Sequence, residues 1–133
     1  LCLLVTALAA SPGVAAQKTT LPSKAFRYEE LPVHERNGNQ SRPIMSGELH
    51  NGCYVEVHQT RLAPGTMPHP PHHHVHEEMF LIREGTIEVT INGQKTHLGP
   101  GSVGFAGSND EHGVRNIGTT HAEYFVVAFG KDA

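Results

Sequence analysis

From residue 44 onward the chain is written in short runs rich in Val, Ile, Thr, Tyr and Phe, separated by Gly, Pro and Asn. Runs of that kind, bounded by turn residues, read as β-strands. They predict strands over 44–49, 53–62, 73–82, 86–91, 95–98, 102–105, 113–116 and 121–129. The alternation is cleanest where Ile87, Val89 and Ile91 face one way and Thr86, Glu88 and Thr90 the other, as in a strand with one buried face. Asn51-Gly52 and Asn92-Gly93 mark two hairpins, because Asn-Gly tolerates the positive φ values of a type I′ turn. No stretch carries a capped stripe of helical period. Short strands in such number predict a small all-β sandwich or barrel.

The N-terminal third reads differently. Residues 17–43 are polar and broken by Pro22, Pro32, Gly38 and Pro43, which predicts an extended arm with one short strand over 26–29. Residues 1–16 are apolar and end in small side chains, with Val14 and Ala16 at the −3 and −1 positions of a cleavage site before Gln17. This is the pattern of a secretory signal, here without its basic start and initiator Met, so a chain truncated at its start is expected. The run is too short to span a bilayer. The expected division is a signal segment over 1–16, an arm over 17–43 and one barrel over 44–133, in a protein exported to the periplasm or the outside. Once the signal is removed, Cys53 is the one cysteine left, so an intrachain disulfide is excluded and the barrel must be held by its core.

Composition then narrows the function. A net charge of −3, with only 10 Lys and Arg, argues against a nucleic-acid binder. The surplus residue is histidine: the chain has 11, and five fall between positions 69 and 76. Histidine is the commonest protein metal ligand. In an extended chain His72, His74, His76 and Glu78 share one face, which continues into apolar Phe80 and Ile82. Imidazoles and a carboxylate on a core-bound face are costly to bury without partners, and a divalent cation would satisfy them together. Pro68, Pro70 and Pro71 stiffen the approach. Taken alone, the tract HPPHHHVHEE could equally be a solvated segment with incidental metal affinity. A second Gly-punctuated segment, with His112 at its centre, shifts that balance.

The two segments resemble the paired motifs of the cupin superfamily. His72, His74, Glu78 and Gly85 fit the first motif, H-x-H-x3-E-x6-G, and His112 with Asn116 fits the H-x3-N end of the second. Gly107 and Asn109 stand where the second motif has Pro and Gly; Asn is the best non-glycine residue for a left-handed backbone. The resemblance covers about residues 44–130. It implies a double-stranded β-helix, or jelly-roll, barrel with His72, His74, Glu78 and His112 as metal ligands. Such a mixed nitrogen and oxygen set suits Mn, Fe, Co, Ni or Zn. A rival register through His74 and His76 fits the motif poorly, but His76 shares the inward face and is the candidate acid or base beside the metal, with support of a ligand from behind or a fifth-ligand role as alternatives. Met67, Phe80 and Phe105 are the candidate pocket residues. Arg115 is expected to face outward, and His34 and His58 to be ordinary surface or strand positions.

Two function classes remain open on these residues. One is a metal-dependent enzyme, of oxygenase or oxidoreductase type, acting on a small oxygen-rich molecule. The other is a non-catalytic module that captures a metal or small ligand outside the cytoplasm, since fold alone does not choose. Unpaired sheet edges and the family analogy together imply a homodimer.

Overall fold

A computed structural model describes residues 20–130 and 132–133. The expected signal segment, and residues 17–19 of the expected arm, lie outside the described residues. The described chain forms a short 3-10 turn, Tyr28–Glu30, and nine strands. These are β1 (His34–Arg36), β2 (Asn39–Glu48), β3 (Tyr54–Leu62), β4 (Glu77–Glu84), β5 (Ile87–Ile91), β6 (Gln94–Leu98), β7 (Val103–Ala106), β8 (His112–Asn116) and β9 (Ala122–Phe129). Six of them form a sheet in the order β1-β2-β3-β9-β4-β7, and three form a second sheet, β6-β5-β8. All pairings are antiparallel. The two sheets face each other around Leu62, Phe80, Ile82, Ile87, Val89 and Val126, all buried in one core cluster. This is the jelly-roll arrangement expected from the sequence.

The local reasons are visible strand by strand. Ile87 and Val89 of β5 are buried, while Glu88 pairs outward with Lys95 (2.9 Å) and His97 (3.3 Å). Asn92 and Gly93 sit at φ 47° and 80°, the geometry that a two-residue type I′ turn needs between β5 and β6. The β2–β3 hairpin closes differently. Only Gly52 takes a positive φ (83°), and Asn51 Oδ1 accepts the Cys53 N–H at 3.0 Å.

Four expectations need correction. The barrel does not begin at residue 44. Asn37 and Gly38, at φ 53° and 77°, turn β1 onto β2, so residues 34–43 of the expected arm belong to the large sheet. Pro43 is tolerated there because the β2–β3 register shifts between Pro43 and Met45. The short strand expected over 26–29 is instead the 3-10 turn, followed by Pro32. The strand expected to begin at residue 73 begins at Glu77; residues 72–76 form a loop, tied down by a single bridge between His72 and His112. The prolines at 68, 70 and 71 lack the N–H groups that a longer ladder would use. Finally, Phe105 points out of the barrel and is 54% exposed. Its neighbour Gly104 takes the inward position opposite Phe80, whose ring a Cβ there would meet at 3.3 Å.

Candidate metal centre

The loop before β4, the start of β4 and the start of β8 converge in the mouth of the barrel. Although residues 72–76 are not a strand, their exposure still alternates: His73 and Val75 are exposed, while His72, His74 and His76 turn inward. His112, the first residue of β8, is only 2% exposed. The facing backbones are joined by two hydrogen bonds, His72 N–H to His112 O at 3.0 Å and His112 N–H to His72 O at 2.8 Å. The turn that delivers His112 uses Asn109 at φ 61°, the left-handed conformation expected there.

The hydrogen bonds around the rings fix which nitrogen faces the cluster. His74 Nδ1 donates to the His76 carbonyl and His112 Nδ1 donates to the Asp110 carbonyl, each at 2.8 Å. That tautomer leaves each Nε2 with a free lone pair, the arrangement that outer hydrogen bonds impose on metal-ligating imidazoles. Glu78 sits between the rings. Its Oε1 is 3.4 Å from His74 Nε2 and from His76 Nε2, and its Oε2 is 3.3 Å from His112 Nε2. Burial alone would raise the Glu78 carboxyl, but the imidazoles of His112, His74 and His76 outweigh it and hold the group at about 2. Burial, then the neighbouring rings of His69, His112 and His74, push His72 down to about 4. The Glu78 carboxylate, 3.3 Å from His112 Nε2, raises that ring, against the effect of its burial.

These groups fit a cation. His72 Nδ1, His74 Nε2 and His112 Nε2 are buried without a hydrogen-bond partner. The ligand atoms of His72, His74 and His112 lie within 4.8 Å of one another, and so do those of His74, His76 and Glu78. Orphaned buried nitrogens are costly. One anionic oxygen donor among neutral nitrogens is a donor set suited to a divalent transition metal.

Of the cluster, Glu78 and His112 line a cavity of about 990 Å³. Met67 and Phe80 line it, while Phe105 does not. Val114, Val126 and Tyr124 form apolar wall beside Glu78 and His112. Tyr124 is buried opposite Thr60, and burial raises its phenol above the ordinary range, so the ring keeps its proton. The β1–β2 hairpin brings His34 and Arg36 to the cavity, and β3 brings His58. These residues and Tyr124 were missed from the sequence. The one available signal was parity: Ala122, Tyr124, Val126 and Ala128 alternate inward along β9. Arg115 faces outward as expected, and its guanidinium approaches Gly65 O and Met67 Sδ at 3.4 Å each.

A two-sheet barrel with a histidine–carboxylate cluster in its mouth defines a class of small barrels able to take a metal ion there. The cupin domain family model matches residues 58–128. The chain belongs to that family. It is 32% identical over 94 residues to the pectin degradation protein KdgF of Dickeya dadantii (strain 3937), covering 69% of this chain and 80% of the relative. Among solved structures it is similar to KdgF from Halomonas sp., with a TM-score of 0.72, 18% identity, and coverage of 83% of this chain and 96% of that one. An RmlC-like cupin from Shewanella frigidimarina superposes with a TM-score of 0.67 at 18% identity, over 83% of this chain and 96% of that one. No helix among the described residues is long and apolar enough to cross a membrane.

Proposed function

We propose that this chain is a metal-dependent enzyme acting on a small, oxygen-rich organic molecule. The observation that carries the reading is the set of orphaned ring nitrogens around Glu78, which with His112 lines a cavity large enough for a ligand. His72, His74, Glu78 and His112 would hold the ion. When bound, it supplies Lewis-acid polarisation of substrate oxygens or, as iron or manganese, oxygenase or oxidoreductase chemistry. The rest falls to the chain itself. Phe80, Val114 and Val126 exclude water from the wall of the cavity, and Tyr124 offers a protonated phenol to it. His76, whose Nε2 is 3.4 Å from Glu78, is the candidate to accept or return a proton. The relative named for pectin degradation makes acidic sugars, the building units of pectin, the first substrate class to try.

The cavity beyond the cluster favours turnover over a site that only stores a metal. The test is metal analysis of purified protein, followed by incubation with acidic sugars, diketones and catechols. Stoichiometric transition metal together with conversion of one class is expected. Metal with binding but no conversion across the panel would replace this reading with the extracytoplasmic capture module.

Export and homodimerisation belong to the same proposal. The apolar run over 1–16 supports the first, and cleavage before Gln17 in protein from the native host checks it. Edge strand β7, with Val103 and Phe105 each 54% exposed, supports the second. A monomer mass by light scattering removes it.

A further inference from the structure

We propose that Asp132, in the segment that follows β9, is a positioning residue for the metal centre. It holds the His76 ring so that Nε2 faces the Glu78 carboxylate. This rests on the metal-site reading above and adds to it a residue that lies outside both histidine segments.

The geometry is specific. One oxygen of Asp132, Oδ2, accepts the His76 backbone N–H at 3.2 Å and lies 3.3 Å from His76 Nδ1. The opposite ring nitrogen, Nε2, is 3.4 Å from Glu78 Oε1. One flat face of the ring is stacked on His74, with centroids 3.5 Å apart and planes within 9°. The His76 ring is therefore bonded at Nε2 and stacked on one face, while its Nδ1, buried without a hydrogen-bond partner, faces the Asp132 carboxylate. The chain after β9 is shaped to make this contact. Gly130 adopts φ 142°, and a Cβ there would lie 2.9 Å from His76 Cβ, so only glycine lets the backbone come this close. Gly130 N–H is anchored on the Tyr54 carbonyl at 2.9 Å. His76 thus connects Glu78, in the wall of the main cavity, to Asp132, which lines a separate cleft of about 550 Å³.

A carboxylate behind an imidazole biases the tautomer and orientation of the ring, and here Asp132 does so by its charge beside Nδ1 and by its bond to the His76 backbone N–H. Here that ring in turn contacts the one anionic oxygen donor of the cluster. Loss of Asp132 frees His76 to rotate and loosens the Glu78 carboxylate at the same time. A merely structural anchor would act on folding and leave the cluster unchanged.

The test uses the full chain loaded with Co²⁺, read by visible absorption and by competition with a chelator. Asp132→Asn is expected to weaken Co²⁺ binding by about 10-fold, the lower end for loss of a partner behind a ligand group, and to alter the cobalt spectrum. The thermal midpoint of the metal-free variant should match the parent. In a His76→Ala background, Asp132→Asn should add nothing further, because its effect runs through that ring. Two results would overturn the inference: Asp132→Asn binding with parental affinity and spectrum, or an equal loss in the His76→Ala background. A parent protein that binds no Co²⁺ at all would instead overturn the metal-site reading, and this inference with it.

Discussion

His72 and His112 are joined to each other through their backbones, each donating its N–H to the other's carbonyl, at 3.0 and 2.8 Å. The two histidine segments are 40 residues apart in the chain, yet their spacing in the barrel mouth is set by main-chain atoms. Removing either ring leaves that bridge in place. His72→Ala and His112→Ala are therefore expected to lose stoichiometric metal while keeping the parental far-UV circular dichroism. Metal analysis of both purified variants checks this, and a full complement in both would show that the ligand set is wrong.

Gly85 is pressed against the start of β9. It sits at φ 77°, and a Cβ would lie 2.7 Å from Ala122 Cα and 2.8 Å from His121 O, both backbone atoms that cannot yield cheaply. Gly85→Ala combines a left-handed backbone penalty with overpacking, for a destabilisation of about 2–4 kcal/mol. Urea unfolding reads it. A loss under about 1 kcal/mol would mean that the β4–β5 turn relaxes freely, against the packing just described.

Asn116 gives the end of the second motif a structural meaning. Fully buried, it donates Nδ2 to the carbonyls of Leu62 (3.0 Å) and Thr120 (2.8 Å), and its Oδ1 accepts the Gly118 N–H at 2.9 Å. It ties the end of β8 to the end of β3 and to the turn leading into β9. Asn116→Ala leaves three backbone groups without their partner and should cost about 3 kcal/mol in chemical denaturation. The metal-binding stoichiometry of the folded variant should be unchanged, because none of the three bonds reaches the cluster.

The parts of this structure that were legible in the sequence are those decided locally. The β5–β6 hairpin follows from Asn92-Gly93 and the parity of Ile87 and Val89, all within twelve residues of chain. The inward set His72, His74 and Glu78 was also readable, because alternate exposure persists through residues 72–76 without a strand. What stayed hidden depends on pairing between distant segments. His34, Glu35 and Arg36 are all exposed, so β1 carries no hydrophobic alternation, and the Asn37-Gly38 signal had no flanking pattern to support it. Tyr124 reaches the cavity because β9 pairs with β3, setting it opposite Thr60. Phe105 misled because Val103 and Ala106 are apolar on opposite faces of β7, which erases the parity. Asp132 meets His76 across 56 residues, with no motif to announce it.

Acid should weaken the metal-free barrel in two stages, with the first traceable to a single ring. His72 is held at about 4 in the folded protein, against an ordinary 6.5. Between those values the unfolded chain binds the proton and the native state resists it, so stability present above pH 6.5 is lost as pH falls towards 4. Glu78, held at about 2 against 4.5, adds a second loss that starts only as pH falls below 4.5. His112 is shifted the other way, by the Glu78 carboxylate beside it. Its contribution is complete below 6.5 and fades as pH rises through its raised folded value, so it stays constant across the His72 window. Thermal midpoints of chelator-treated protein should therefore decline from pH 6.5 to 4, and His72→Gln, which cannot take up the proton, should show a shallower decline. An identical slope in the two proteins would place the acid sensitivity elsewhere than in His72.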